Sequence, residues 1–365
     1  MCTSLLYRDA ENRAYLGRTL ELTIDLPYQI TMFPAETTLD SQVAGYRAWS
    51  WKMRHAFIAV TMPVMPPAPG VEFSPQNLNV VEGLNDAGLS FSVQSYPEAS
   101  GPREPADPAR RALSAADLGA WALGQFTTVE EVKAALADLP VVLEPMPILG
   151  GLEMPFHYGV HDATGASIVI EFHHGVRTIY DNPVGVMTNA PQFSWHLTNL
   201  NNYTFLSNID RSKATFGSYA AVQPGSGIAR AGLPGSDTSV DRFIRAAFYA
   251  QFAEKQADQD QAVMMVAHLM NNFDRPRGIT VDYPGLGSGH LQIQGLEAPK
   301  VPTEFTSWTS LSDLDRRLFF LRDGDGMNYT RFDVCALAGE TRFRSIPMAK
   351  LAPKTPDATA AFKAN

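Results

Sequence analysis

Met1-Cys2-Thr3-Ser4-Leu5-Leu6-Tyr7, the polar turn at residues 8–12, and Ala14-Tyr15-Leu16-Gly17-Arg18-Thr19-Leu20-Glu21 form the stretch on which the reading of this chain turns. Residues 3–7 and 14–20 are β-type runs on either side of a polar turn, so the chain is expected to open as a hairpin. A hairpin lays Gly17-Arg18-Thr19-Leu20-Glu21 back beside Cys2. Removal of Met1 exposes a cysteine that carries both a thiol and an α-amine. The thiolate is a nucleophile, and an α-amine, with a reference pKa of roughly 7.7–8.0, can take the thiol proton. Arg18 beside a thiol favours its charged form, and the Glu21 carboxylate can orient the amine and balance its charge. Taken alone, Met1-Cys2 also reads as an ordinary chain end, and the pentad as a surface ion pair.

Outward from this hairpin the same pattern repeats. Residues 55–70 begin as a strand and end in a Pro/Met-rich loop at 62–70. Residues 80–94 hold the turn Asn85-Asp86-Ala87-Gly88 between apolar runs, a second hairpin, and 97–108 form a loop. Ser114, with Asp117 in the capping-box position, is expected to open a helix. Thr128, with Glu131, opens another that places Val132, Ala135, Leu136 and Leu139 on one face before Pro140. Strands are expected at 156–161 and 166–172 around Asp162-Ala163-Thr164-Gly165, and again at 184–188. The 3.6-residue periodicity predicts helices over 238–255 and 258–273. Strands return at 318–322 and 329–336, with Cys335 expected as a small core residue. Short-looped antiparallel hairpins interleaved with helix pairs indicate a layered α+β fold and exclude a parallel doubly wound sheet. No composition break divides the chain, so a single domain over 1–365 is expected, with a polar tail from about 352.

Composition narrows the function. The 365 residues carry 38 acidic side chains against 29 Lys+Arg, a net charge of -9, and no basic run, which speaks against a nucleic-acid partner. The longest apolar stretch, residues 57–67, is interrupted by Pro63, Pro66 and Pro67, whereas a membrane span needs roughly 20 apolar residues. The first residues have no basic n-region and no long apolar run. The chain as written is expected to be cytoplasmic; a periplasmic location requires a leader upstream of Met1. Two cysteines make no disulfide framework.

The chain resembles the choloylglycine hydrolase family, N-terminal-nucleophile amidohydrolases that include bile salt hydrolases and penicillin V acylases. The marks run from Met1 to about Ala336. They are Met1-Cys2-Thr3, Gly17-Arg18-x-Leu20-Glu21, and the block from Glu82 to Leu89. Later come Val186-Met187-Thr188-Asn189-Ala190-Pro191 with Phe193-x-Trp195-His196 and Asn199-Leu200-Asn201, and Gly232-Leu233-Pro234-Gly235 leading into Arg242-Phe243-Ile244-Arg245. The resemblance implies a four-layer αββα sandwich of two antiparallel sheets with helices on both outer faces. It implies Cys2 as nucleophile, Arg18 as the arginine beside it, Asn189 in the oxyanion hole and Arg242 as a second active-site arginine. Glu21 stands where the family usually has Asp, one methylene shorter. Ser95 falls near the other oxyanion-hole position, commonly Asn or Tyr.

The implied reaction is hydrolysis of a small-molecule linear amide through a thioester, without cofactor or metal, in a homo-oligomer, a tetramer by resemblance. The Glu21 and Ser95 departures rank acylases of penicillin V or N-acyl homoserine lactone type ahead of a conjugated bile salt hydrolase. The apolar segments 22–33 and 62–70 are candidates for the pocket rim and equally for packing loops. A catalytically inactive homologue that binds acyl amides is the alternative of another class.

Other motifs carry less. His157 and His161, with Glu171, His173 and His174 nearby, invite a zinc reading, but beside a hairpin they read more simply as strand residues with satisfied hydrogen bonds. Asp323-Gly324-Asp325-Gly326 lacks the spaced ligands of a calcium loop. The glycines at 225–227 and 285–289 complete neither a nucleophile elbow nor a phosphate loop.

Overall fold

The structure, a computed structural model, describes residues 1–65, 72–102, 106–283, 286, 294–295, 297, 299–351 and 355. The opening hairpin is formed by Cys2–Arg8 (β1) and Ala14–Leu22 (β2), with Cys2 opposite Leu20 and Ser4 opposite Arg18. The other strands of the two large sheets are Gln29–Phe33 (β3), Phe57–Pro63 (β4), Leu78–Asn85 (β5), Ser90–Ser95 (β6), Phe156–His161 (β7), Ser167–His173 (β8) and Val176–Asp181 (β9). They continue with Val186–Met187 (β10), Phe305–Asp313 (β11), Leu318–Asp323 (β12), Thr330–Asp333 (β13) and Arg344–Pro347 (β14). One sheet has six strands in the order β10-β1-β2-β11-β12-β13; the other has eight in the order β9-β8-β7-β6-β5-β4-β3-β14. Every pairing within them is antiparallel.

The layers follow from the two-residue alternation of side chains along each strand. Leu6, Leu16 and Leu20 of the first sheet meet Ile58, Val60 and Leu84 of the second in a core between the sheets. The residues between them point the other way. Leu5, Tyr7 and Tyr15 pack beneath Ser239–Phe252 (α4) and Gln259–Met270 (α5). Phe91, Tyr158 and Ile170 on the outer face of the second sheet pack beneath Leu118–Gln125 (α1) and Val129–Leu136 (α2). The result is the expected αββα arrangement, three apolar seams between four layers. Gly17 is required by the close approach of α5, since a Cβ there would lie 2.6 Å from Met270 Cγ. Thr128 and Glu131 close the expected capping box, and Thr238 and Asp258 accept from the Asp241 and Gln261 amides at the starts of the two longer helices.

Three readings are corrected. The first helix starts at Leu118 rather than at Ser114. Ser114 instead lies in a two-residue strand, its amide donating to Ser41 Oγ, while Ser41 Oγ donates to the Asp117 carboxylate at 2.7 Å. Ser41, distant in sequence, thus engages both groups that a local capping box would have used. The strand expected at 329–336 stops at Asp333, whose carboxylate accepts from the Ala336 amide and starts a short helix, Val334–Leu337 (α6). That turn leaves Cys335 exposed, not in the core. Strand β11, central in its sheet, went unread because Thr306, Thr309, Ser310 and Ser312 interrupt the apolar alternation, although the last three are buried. The tail from 352, the loop at 66–70 and the glycines at 285–289 fall outside the described residues, apart from Thr355 and Leu286.

Candidate active site

Cys2 begins β1 on the face toward the second sheet and is only 3% exposed. Arg18 points into the same layer from β2 and is wholly buried. Its Nη2 donates to Cys2 Sγ at 3.4 Å and to the Val93 carbonyl; its Nη1 donates to the Val81 carbonyl at 3.0 Å and to Glu82 Oε2 at 3.1 Å. The guanidinium also lies 4.7 Å from the ring centre of Trp308. Val81 is available because β5 bulges there: Val60 faces Glu82 and Thr61 faces Val80, leaving Val81 without an opposite residue on β4. Burial pushes the Glu82 carboxyl up to about 7, against the pull of Arg18 and of a hydrogen bond from Ser92.

A second buried guanidinium approaches from the helix side. Arg242, in the first turn of α4, has Nη1 on the Cys2 carbonyl and on Thr3 Oγ1 (2.6 Å), Nη2 on Asn189 Oδ1 (2.7 Å) and Nε on the Asp237 carbonyl (2.9 Å). An arginine at a helix N-terminus is unfavourable toward the helix dipole; these acceptors on β1 and at Asn189 are what hold it. Asn189 Oδ1 also accepts from the Cys2 nitrogen at 3.0 Å, while its Nδ2 donates to the Ser95 carbonyl at 2.7 Å. The Asn189 main chain is fixed by Ser239 Oγ and by His196 Nε2. One amide therefore meets the Cys2 nitrogen with its oxygen and keeps an N–H beyond the one given to Ser95. Ser95 is brought to the site, where its carbonyl holds Asn189.

Glu21 is fully buried at the same end of β2. Its main chain pairs with Met1 in both directions, and its Oε1 accepts from Thr306 Oγ1 at 3.3 Å. Burial raises its carboxyl, while Arg242 and the terminal ammonium pull it back. Oε2 has no hydrogen-bond partner among the described residues. The Met1 ammonium reaches Glu304 Oε1 at 3.5 Å, and Arg275 holds the other oxygen of Glu304. Asp25, the other acid near this hairpin, is exposed and bonded to Arg277, away from Cys2. Glu304 and Thr306 were missed because β11 itself was unread; Glu82 opens a quoted sequence block but had been given no role.

Cys2, Arg18 and Glu21 line a cavity of about 840 Å³, including its open mouth. Leu22, Leu26, Met62, Met146, Ile148 and Met154 supply much of its apolar lining, with Asn79 and Ser95 among the polar groups. The apolar segments 22–33 and 62–70 thus contribute to the rim at Leu22, Leu26, Tyr28 and Met62. Such a lining suits an apolar group, and its methionines can adapt to differing shapes.

The histidines are spread over separate contacts. His157 bonds Glu171 at 3.1 Å and the Thr188 carbonyl at 3.0 Å, and His173 bonds the Tyr96 hydroxyl. Among the described residues no group of three or more His, Cys, Asp or Glu side chains could hold a metal ion. His161 departs from the expectation of satisfied hydrogen bonds: it is fully buried and both ring nitrogens lack a partner among the described residues. Burial lowers its pKa from 6.5 to about 4. The unfolded chain therefore binds a proton here at higher pH than the folded one. Stability contributed at this site is present above pH 6.5 and lost as the pH falls toward 4, by about 3 kcal/mol at most. Urea unfolding of His161→Leu across pH 7 to 4 is expected to show a shallower acid loss than wild type.

Comparison with known proteins follows the same outline. The profile of linear amide C–N hydrolases, choloylglycine hydrolase family, matches residues 2–334. The chain is 28% identical over 336 residues to the bile salt hydrolase/transferase of Lactiplantibacillus plantarum, covering 89% of this chain and 90% of that protein. It is 25% identical to the penicillin V acylase of Pectobacterium atrosepticum, covering 79% and 73%. Among solved structures, a mutant conjugated bile acid hydrolase from Clostridium perfringens superposes with a TM-score of 0.77 at 22% identity, over 98% of this chain and 99% of that one. The penicillin V acylase from Agrobacterium tumefaciens gives 0.71 at 22% identity, over 95% and 91%.

Proposed function

The chain belongs to the choloylglycine hydrolase family of linear amide C–N hydrolases, and from that premise we propose that it is an acylase working through Cys2 on amides with an apolar acyl group. The observation that carries this reading is the buried Cys2 lining a mostly apolar cavity, with a guanidinium on its sulfur and the Asn189 amide on its nitrogen. Once Met1 is removed, the Cys2 amine takes the thiol proton and the thiolate adds to the substrate carbonyl carbon. The free N–H of Asn189 supports the oxyanion; losing one such donor costs roughly 3–4 kcal/mol of barrier. The amine then protonates the departing nitrogen as the thioester forms, and water releases the acid. Arg18 and Arg242 supply fixed positive charge, and Glu21 balances the amine.

For the acyl group we rank penicillin V and N-acyl homoserine lactones first. The cavity suits phenoxyacetyl or a fatty acyl chain, and Glu21 and Ser95 stand where the family usually has other residues. Conjugated bile salts are the second reading, favoured by relatives such as the conjugated bile acid hydrolase of Lactobacillus acidophilus, 30% identical over 68% of this chain and 74% of that protein. A hydrolysis panel of penicillin V, acyl homoserine lactones and glycine- or taurine-conjugated bile acids decides among them. Absence of turnover on all three would return the inactive acyl-amide-binding homologue.

On the best panel substrate, Glu21→Ala is expected to lose about ten- to a hundredfold in kcat/KM, the loss of one acceptor for a charged buried group. Asp25→Ala and Cys335→Ala are expected to stay within about twofold of wild type, since both side chains are exposed and remote from the thiol. Near-normal turnover by Glu21→Ala with a large loss in Asp25→Ala would remove Glu21 from the site.

We also propose a homotetramer. The hairpin of Lys213–Phe216 and Tyr219–Val222 stands off both large sheets with Phe216 and Tyr219 each 70% exposed, and a lone two-stranded ribbon is marginal in water. A second copy of the chain is the occupant this reading assigns to it. Light scattering is expected to give four chains per particle; a monomer would refute it.

A further inference from the structure

Behind Arg18, on the side away from Cys2, sits a carboxylate with no part in the chemistry just described. Glu82 lies on β5, faces the first sheet, and is 1% exposed. Its Oε2 accepts from Ser92 Oγ at 2.5 Å, directly across on β6, and from Arg18 Nη1 at 3.1 Å. Its Oε1 has no partner among the described residues. Arg18 in turn donates from its other terminal nitrogen to Cys2 Sγ. Ser92, Glu82, Arg18 and Cys2 therefore form one continuous chain through the layer between the sheets. Resting on the reading of Cys2 as nucleophile, we propose that Glu82 is a positioning residue that holds the Arg18 guanidinium against the thiol and sets how much of its charge the thiolate receives.

The physical reason is competition for one cation. A buried guanidinium must be paired, and two anions share this one, the Glu82 carboxylate and the Cys2 thiolate. Ionised Glu82 neutralises Arg18 from behind and opposes a second anion at the sulfur. Protonated Glu82 leaves the guanidinium to the sulfur alone. From the helix side Arg242 of α4 adds a second positive charge beside Cys2, donating to its carbonyl, whatever the protonation state of Glu82. Tyr28, before β3, is held far above its usual range by burial and stays neutral. Trp308 of β11 offers only its ring face. Because the Glu82 carboxyl titrates near neutrality, small changes around it alter the charge felt at the thiol within the working pH range.

The test reads the sulfur directly. In a Cys335→Ser background, the rate of Cys2 alkylation by iodoacetamide is followed against pH, with the adduct located by peptide mass. Glu82→Gln keeps an acceptor for Arg18 but removes the competing charge. Its alkylation midpoint is expected to fall about one to two pH units below the parent. Glu82→Asp should lie near the parent, and Ser92→Ala, which weakens the ionised carboxylate without emptying the site, should move in the same direction as Gln by less. The pH limb of kcat/KM should move with the midpoint while KM changes by less than about twofold. An unmoved midpoint in folded Glu82→Gln, or in Ser92→Ala should the former not fold, would overturn the proposal. Failure of the amidase reading shows separately, as hydrolysis that survives Cys2→Ala; the alkylation result is independent of turnover.

Discussion

Two wholly buried guanidiniums bracket the first residues of one strand, and the rest of the structure is arranged to make that possible. A charge taken out of water is tolerated only where hydrogen-bonding acceptors and counter-charge surround it. Arg18 finds them on the second sheet, in Glu82 and the Val81 and Val93 carbonyls; Arg242 finds them on the Cys2 carbonyl, Thr3 and Asn189. Each of the layers next to β1 thus sends one arginine or its acceptors to the same point. Cys2 is held from the inner face through its sulfur and from the helix face through its carbonyl. The bulge at Val81, the last strand residue Ser95 and the first turn of α4 are local devices that serve this convergence.

The same geometry gives the site two parts. Asn189, Arg242 and Glu304 make a polar corner around Met1 and Cys2. Leu22, Met62, Met146 and Ile148 give the cavity its apolar lining, which Cys2, Arg18, Glu21 and Ser95 interrupt.

Much of this was legible in the sequence wherever local pattern and final environment agree. The opening hairpin, the hairpin around Asn85–Gly88, and the helices capped by Thr128, Thr238 and Asp258 all carry their own turn or cap chemistry. Cys2, Arg18, Glu21, Asn189 and Arg242 were reached through motif order, and the structure brings them together with Ser95. What escaped depends on partners distant in the chain. Ser41 displaced the capping box expected at Ser114, and Asp333 turned an alternating run into a helix that exposes Cys335. Strand β11 buries hydroxyls on both faces, Ser310 and Ser312 beside Arg18 and Leu16 toward the second sheet and Thr309 toward the helices, which no apolar alternation announces, and with it went Thr306 and its neighbour Glu304. Glu82 has no local signal for its role, because its partner Arg18 is distant in the chain.

The central claim is that the Cys2 nitrogen must be a free amine. With Met1 attached, that nitrogen is an amide that donates to Asn189 Oδ1 and can accept no proton. The most direct measurement pairs intact mass with turnover on preparations containing different fractions of Met1-retaining chain. The account predicts a rate that rises in proportion to the Met1-free fraction and extrapolates to zero when Met1 is fully retained. Full-rate amide hydrolysis by a preparation whose mass shows Met1 in place would contradict it.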